Sequence, residues 1–100
     1  MKTELRMIKF DVHEASMWYG GDLLIADGFD DAIIGIEDTG AEPRVCYSKQ
    51  KCIQILLDEG MDELDAIEHL EYNTFNAYVG EKTPLWIDDQ FFREYNSEKD

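Results

Sequence analysis

The sequence predicts an α+β domain in which a small, mostly antiparallel sheet of three to four short strands is covered on one face by a helical hairpin. Three observations carry that expectation. A chain of 100 residues with 44% apolar side chains can build one core of modest size. A run with helical spacing from Ser48 to about Asn76 is broken once, at Gly60. Short β-branched or aromatic segments flank that run on both sides. The expected organisation is a single compact domain over residues 1–95, with 96–100 a frayed end.

Taken in order, Met7 to Val12 alternates apolar and polar residues and predicts a half-buried edge strand. Met17-Trp-Tyr-Gly-Gly-Asp22 reads as an irregular aromatic loop, leading into Leu23–Ala26, whose state the sequence leaves open. Ala32–Ile36 and Arg44–Tyr47 predict strands, and the glycine and proline of the intervening Glu37–Pro43 predict a reversing turn that pairs them antiparallel. Ser48 can cap a helix bearing Cys52, Ile53, Leu56 and Leu57 on one side. Gly60 closes it, and Asp62 caps a second helix whose inner side is expected to carry Leu64, Ile67 and Leu70, with Phe75 beyond. Pro84–Asp88 predicts the last strand.

The 23 acidic against 9 basic residues give a net charge of −14, unevenly spread. Residues 21–43 hold Asp22, Asp27, Asp30, Asp31, Glu37, Asp38 and Glu42 with no Lys or Arg. Residues 61–81 hold Asp62, Glu63, Asp65, Glu68, Glu71 and Glu81, again with no base. Both blocks are interleaved with apolar residues, the pattern of folded elements with a charged outer face. Such a chain repels phosphate backbones, so direct nucleic-acid binding is not expected. No apolar run approaches the ~20 residues of a membrane helix, and the charged N-terminus does not read as a signal peptide. A cytoplasmic setting with Cys46 and Cys52 reduced follows as the expectation.

Motifs for chemistry are weak. Asp27 to Asp38 spans the twelve positions of a calcium loop, but its third, sixth and twelfth positions are Phe29, Ala32 and Asp38, where such a loop wants an oxygen donor, a glycine and a Glu. Cys46, Cys52, His13 and His69 lack the close pairwise spacing of zinc ligands. Neither cysteine carries a local mark of activation. Gly20-Gly21 is followed by Asp22, which opposes a bound phosphate. Adjacent carboxylates such as Asp30 and Asp31, or Asp88 and Asp89, are expected by chance at this composition. No metal, cofactor or catalytic group is assigned, and the chain is expected not to be an enzyme. In Tyr72-Asn-Thr-Phe-Asn-Ala-Tyr78, aromatics recur at every third residue. They are expected either to pack, with Phe75 and Tyr78 under the sheet and Asn73 or Asn76 bonding to backbone, or to wall a small-ligand pocket formed by Tyr72, Tyr78 and Trp86.

The run from Lys51-Cys-Ile-Gln-Ile-Leu-Leu-Asp-Glu-Gly-Met61 through Ala66-Ile-Glu-His-Leu-Glu-Tyr-Asn73 to Ala77-Tyr-Val-Gly-Glu-Lys-Thr-Pro84, with Asp27-Gly-Phe-Asp-Asp-Ala-Ile-Ile-Gly35 upstream, resembles a group of short acidic proteins of tailed bacteriophages. The resemblance implies no catalytic or binding residue. It implies a bacterial cytoplasm and an accessory role exercised by binding a larger host or phage protein. The expected function is therefore an acidic interaction module, with Asp27, Asp30, Asp31, Glu63, Glu68 and Glu71 facing a basic protein surface as a nucleic-acid mimic or inhibitor would. A homo-oligomeric structural or virion-associated role, with a homodimer as its simplest form, is the alternative, alongside the aromatic pocket.

Overall fold

The computed structural model describes residues 9–93. The expected domain limit at residue 95, the expected frayed end at 96–100 and residues 7 and 8 of the expected first strand lie outside them. What is described of that first strand is not strand. Asp11 accepts the Glu14 amide at 3.0 Å and caps a short helix, α1 (Val12–Trp18). The Asp11-Val-His-Glu14 string offers the backbone a cap with an acidic first turn, and this outweighs a brief alternation of polarity. Met17 and Trp18 thus end a helix, while Leu23–Ala26 has no regular structure.

A single 3-10 turn, Asp30–Ala32, leads into β1 (Ile33–Glu37), which pairs antiparallel with β2 (Arg44–Ser48) as expected. The register slips by one residue between Ile33 and Gly35, leaving Ile34 exposed at the irregularity. β2 is the central strand, and β3 (Leu85–Ile87) lies on its other side. Here the sheet departs from the expected form, because β3 runs parallel to β2 and the three strands make a mixed sheet. The cause is the course of the chain between them. β2 passes at Ser48 directly into the helices, and the irregular segment 76–84 then returns to the starting end of β2, where Arg44 Nε donates to the Thr83 carbonyl at 2.6 Å. A strand entering from that end has Leu85 beside Cys46 and Ile87 beside Ser48, which is the long crossover that parallel pairing requires.

The hairpin itself follows its local signals. The Ser48 hydroxyl accepts the Lys51 amide at 3.0 Å, opening α2 (Lys49–Asp58). Gly60 takes φ +104° and closes it, with the Gly60 amide on the Leu57 carbonyl at 2.9 Å and the Met61 amide on the Leu56 carbonyl at 3.1 Å. That pair of bonds satisfies two of the carbonyls left open at the helix end. Asp62 caps α3 (Glu63–Leu70) through the Leu64 amide at 3.1 Å. The cap sets the phase of α3, and the buried residues are Ala66 and Leu70, one turn apart. Leu64 stands about 200° around the helix from Ala66 and is 68% exposed, so it faces out rather than in. Beyond Leu70 the helix widens into one π-turn, Glu71–Phe75.

The core lies between one face of the sheet and this hairpin. Val45 and Tyr47 of β2 pack with Cys52 and Leu56 of α2 and with Ala66 and Leu70 of α3. Tyr47 stacks on Trp86 at 4.6 Å between ring centres, and Phe75 meets Trp86 at 5.3 Å. Removing each of these large side chains from water contributes about 1.5–3 kcal/mol. A second device ties the end of β3 to the start of α2: the Ser48 hydroxyl donates to Asp89 at 2.6 Å, and the other Asp89 oxygen accepts the Gln50 amide at 3.1 Å. No helix among the described residues is long and apolar enough to cross a membrane.

Candidate functional site

The residues singled out for a pocket do not come together. Tyr72 and Tyr78 are 89% and 77% exposed, whereas Trp86 is held in the stack against Tyr47 and Phe75. The aromatic spacing of three carries no common face because the π-turn falls within it and changes the angular step. Phe75 alone of the three packs against the core. Tyr78, expected under the sheet, instead borders a recess with Arg44, Glu37, Glu42 and Glu81.

Trp86 walls a different recess, of about 280 Å³, between the irregular segment 25–29 and the π-turn with the chain that follows it. Ile25, Phe29, Val79 and Pro84 supply its apolar surface. Asp27, Asn73 and Thr74 supply the polar groups at its margin. Asp27 and Asn73 are each positioned by an identifiable contact. The Tyr47 hydroxyl accepts the Ala26 amide at 2.7 Å, anchoring the segment that carries Asp27. Burial of Tyr47, the largest cause, pushes its phenol pKa up, so the hydroxyl stays protonated well into the alkaline range. Asn73 is fixed through its amide nitrogen, which donates to the His69 carbonyl at 3.1 Å and lies 3.3 Å from the His69 ring nitrogen. Asn76 likewise donates to the Glu71 carbonyl at 2.9 Å. Both asparagines therefore bond to backbone, at carbonyls of the end of α3 and the start of the π-turn rather than of a strand or loop. The Trp86 Nε1 donor is buried without an acceptor among the described residues.

The expected acidic residues are all exposed, and the fold distributes them over three places. Asp27 stands at the Trp86 recess, beside the π-turn that Glu71 begins. Asp30 and Asp31 border a larger recess of about 560 Å³ with Asp11, Glu14, Lys9 and Lys51. Glu63 opens α3, and Glu68 lies about 140° around the helix from it. Ion pairing among the described residues is sparse. Lys9 meets Asp31 at 3.2 Å, and Lys82 meets Asp22 at 2.6 Å and Glu42 at 3.8 Å. The bond to Asp22 is the main reason that the Lys82 ammonium pKa is raised. Asp27, Asp30, Glu63, Glu68 and Glu71 have no cation within pairing distance among the described residues.

The remaining candidates are structural. Strand β1 fills most of the second half of the twelve-residue window considered for calcium. No group of three or more His, Cys, Asp or Glu is placed to hold a metal among the described residues. Cys52 is fully buried, and burial pushes its thiol up to about 12. Cys46 is pushed up chiefly by burial as well, so neither thiol is an activated nucleophile.

Sequence reasoning reached Trp86 and Asp27 but missed Ile25, Phe29, Thr74 and Val79 as parts of one recess. The available signal was the glycine turn in Asp27-Gly-Phe, with Gly28 at φ +90°, which projects Asp27 and Phe29 from a tight bend. Which distant segment that bend faces depends on the crossover between β2 and β3, for which the sequence carries no local mark. No protein-family model, curated protein or solved structure matches the chain.

Proposed function

We propose that this chain is a non-enzymatic, acidic protein-interaction module that docks on a basic surface of a host or phage protein. The observation that supports this most directly is uncompensated surface charge. The net charge is −14, and Asp27, Asp30, Glu63, Glu68 and Glu71 all face solvent without an ion-pair partner among the described residues. A folded surface of that kind accelerates encounter with a cationic partner and keeps like-charged partners away. If the basic surface is one that otherwise receives DNA or RNA, docking there makes the chain a nucleic-acid mimic or inhibitor. The setting in this reading is the cytoplasm of a phage-infected bacterium, on the strength of the resemblance in sequence. Affinity capture of the tagged protein from bacterial lysate tests it. A basic protein retained stoichiometrically at low salt and released as salt rises is the expected result. Retention of no basic protein, or binding that survives reversal of Asp30, Glu63, Glu68 and Glu71 to Lys, would overturn it.

One observation favours self-association as a second reading. Phe91 and Phe92 are 70% and 85% exposed beside Ile87 of the edge strand β3, in a shallow and largely apolar recess. Exposed aromatics next to an unpaired strand edge suit a second copy of the chain. Sedimentation of the native protein and of Phe91→Ser/Phe92→Ser distinguishes the two: a dimer lost in the variant supports self-association, and a monomer in both excludes it.

A further inference from the structure

We infer that the Trp86 recess is an anchoring pocket for one arginine side chain of the basic partner, an inference that rests on the protein-interaction reading above. Its size, its walls and its margin point to the same occupant. A space of about 280 Å³ falls just short of the ~300 Å³ at which sites for whole small molecules begin, and suits a single long side chain entering from outside. Phe29, Val79, Pro84 and Trp86 offer apolar and aromatic surface of the kind that the methylene stem and planar guanidinium of arginine cover well.

The margin supplies acceptors. Asp27 stands at the recess; among the described residues it makes no ion pair and is the one carboxylate in the lining. Asn73 spends its amide nitrogen on His69, and its Oδ1 has no donor among the described residues and can take a hydrogen bond from a ligand. A carboxylate and an amide oxygen together match the fork of guanidinium donors better than the point charge of an ammonium. The orphaned Trp86 Nε1 does not alter this assignment, because it is sealed from water-sized groups and so from an occupant of the recess. Among the described residues no base lines the recess to compete for Asp27. By contrast, the larger recess at Asp30 and Asp31 already contains Lys9 and Lys51.

The test is a titration of the full-length protein, at low ionic strength, with two capped pentapeptides: one with arginine between two lysines, the other with a third lysine in place of the arginine. The readout is the pair of indole N–H resonances. Trp18, 83% exposed and absent from the recess lining, serves as the internal reference. Expected are a shift of the Trp86 resonance with Trp18 unmoved, tighter binding of the arginine peptide, and about tenfold weaker binding by Asp27→Asn, the loss of one charge-assisted hydrogen bond. Ala77→Leu, a change at an exposed lining position that narrows the recess and leaves the core alone, is expected to weaken binding similarly. Glu63→Gln and Glu68→Gln are expected to alter it less than about twofold. Binding that leaves Trp86 unmoved and responds equally to Asp27, Glu63 and Glu68 overturns the pocket while sparing the acidic module. Equal affinity for both peptides overturns the arginine assignment, and no binding of either overturns pocket and module together.

Discussion

The α2–α3 hairpin and the irregular segments around it are built on opposite terms. In the hairpin every end is specified within a few residues: Ser48 and Asp62 accept the first free amides, and Gly60 closes α2. Its buried side chains, Cys52, Leu56, Ala66 and Leu70, interlock with Val45 and Tyr47. The segments 19–29 and 76–84 have no fully buried apolar residue except Pro84; Leu23, Ala26 and Phe29 are only partly buried against the core, and long-range polar contacts such as Ala26 to Tyr47, Arg44 to Thr83 and Lys82 to Asp22 add to their hold. The difference is one of burial: the hairpin supplies much of the fully buried core, and the recess is lined mainly by exposed or half-buried residues. The hairpin can lose little without unfolding, while the recess is bounded largely by residues whose replacement leaves the core intact.

The largest expected effect lies in the core. Leu70→Ala removes a side chain with no exposed surface and leaves a cavity between α3 and the sheet; it is expected to cost about 2–5 kcal/mol. Val79→Ala at the recess, where the side chain is 59% exposed, is expected to cost less than about 1 kcal/mol. Urea denaturation followed by far-ultraviolet circular dichroism measures both. Comparable losses would show that the recess is part of the cooperative core.

Next in size is the clip at the start of α2. Ser48→Ala removes the cap on Lys51 and the hydrogen bond to Asp89 together, and is expected to cost about 1–2 kcal/mol. Asp89→Ala keeps the Ser48 cap while releasing the end of β3, so a double-mutant cycle separates the two contributions. A coupling close to zero would mean that β3 does not depend on the helix start.

The two regions were also unequally legible in the sequence. Caps, the glycine stop and the antiparallel β1–β2 turn are local devices, decided by residues adjacent in the chain, and each was read at the right position. The parallel placement of β3 depends on how far the segment 76–84 carries the chain back, which is a property of the assembled core. The inner side of α3 was misjudged at Leu64 because apolarity alone argued for its burial, whereas the face that packs on the core carries the small Ala66 with Leu70 and leaves Leu64 on the other side. For the site, Asp27 and Trp86 were visible as residue types, but their shared recess follows from the same crossover and was not.

An effect with a definite sign is expected at alkaline pH. The folded Cys52 thiol is pushed up to about 12 from an ordinary value of 9.0, and the Tyr47 phenol is raised above its ordinary 10.0, both chiefly by burial. Unfolding lets each ionise at its ordinary value. The contribution of these two groups is therefore fully present below pH 9 and is lost as pH rises from there toward the folded values. Chemical denaturation between pH 8 and about 11 should show this fall, and Cys52→Ala should flatten it from 9 upward. An unchanged slope in the variant would place the titration elsewhere.

The smallest expected change separates the two partners of one aromatic stack. Tyr47 and Trp86 lie face to face across β2 and β3, yet their polar atoms are in opposite states: the Tyr47 hydroxyl accepts the Ala26 amide, and the Trp86 Nε1 donor has no acceptor among the described residues. Tyr47→Phe keeps the ring and strips a part-buried amide of its partner, so it is expected to destabilise by about 1–2 kcal/mol. Trp86→Phe loses part of a ring but also removes a buried donor whose unsatisfied state costs about 1–3 kcal/mol. The terms oppose, and the net change is expected to stay within about 1 kcal/mol of zero. Trp86→Ala, which forfeits the packing as well, should cost clearly more than Trp86→Phe and less than Leu70→Ala. Thermal melts of the three variants test the contrast. If Trp86→Phe proves as costly as Trp86→Ala, the indole N–H is satisfied in solution, and the recess wall belongs with the rigid core after all.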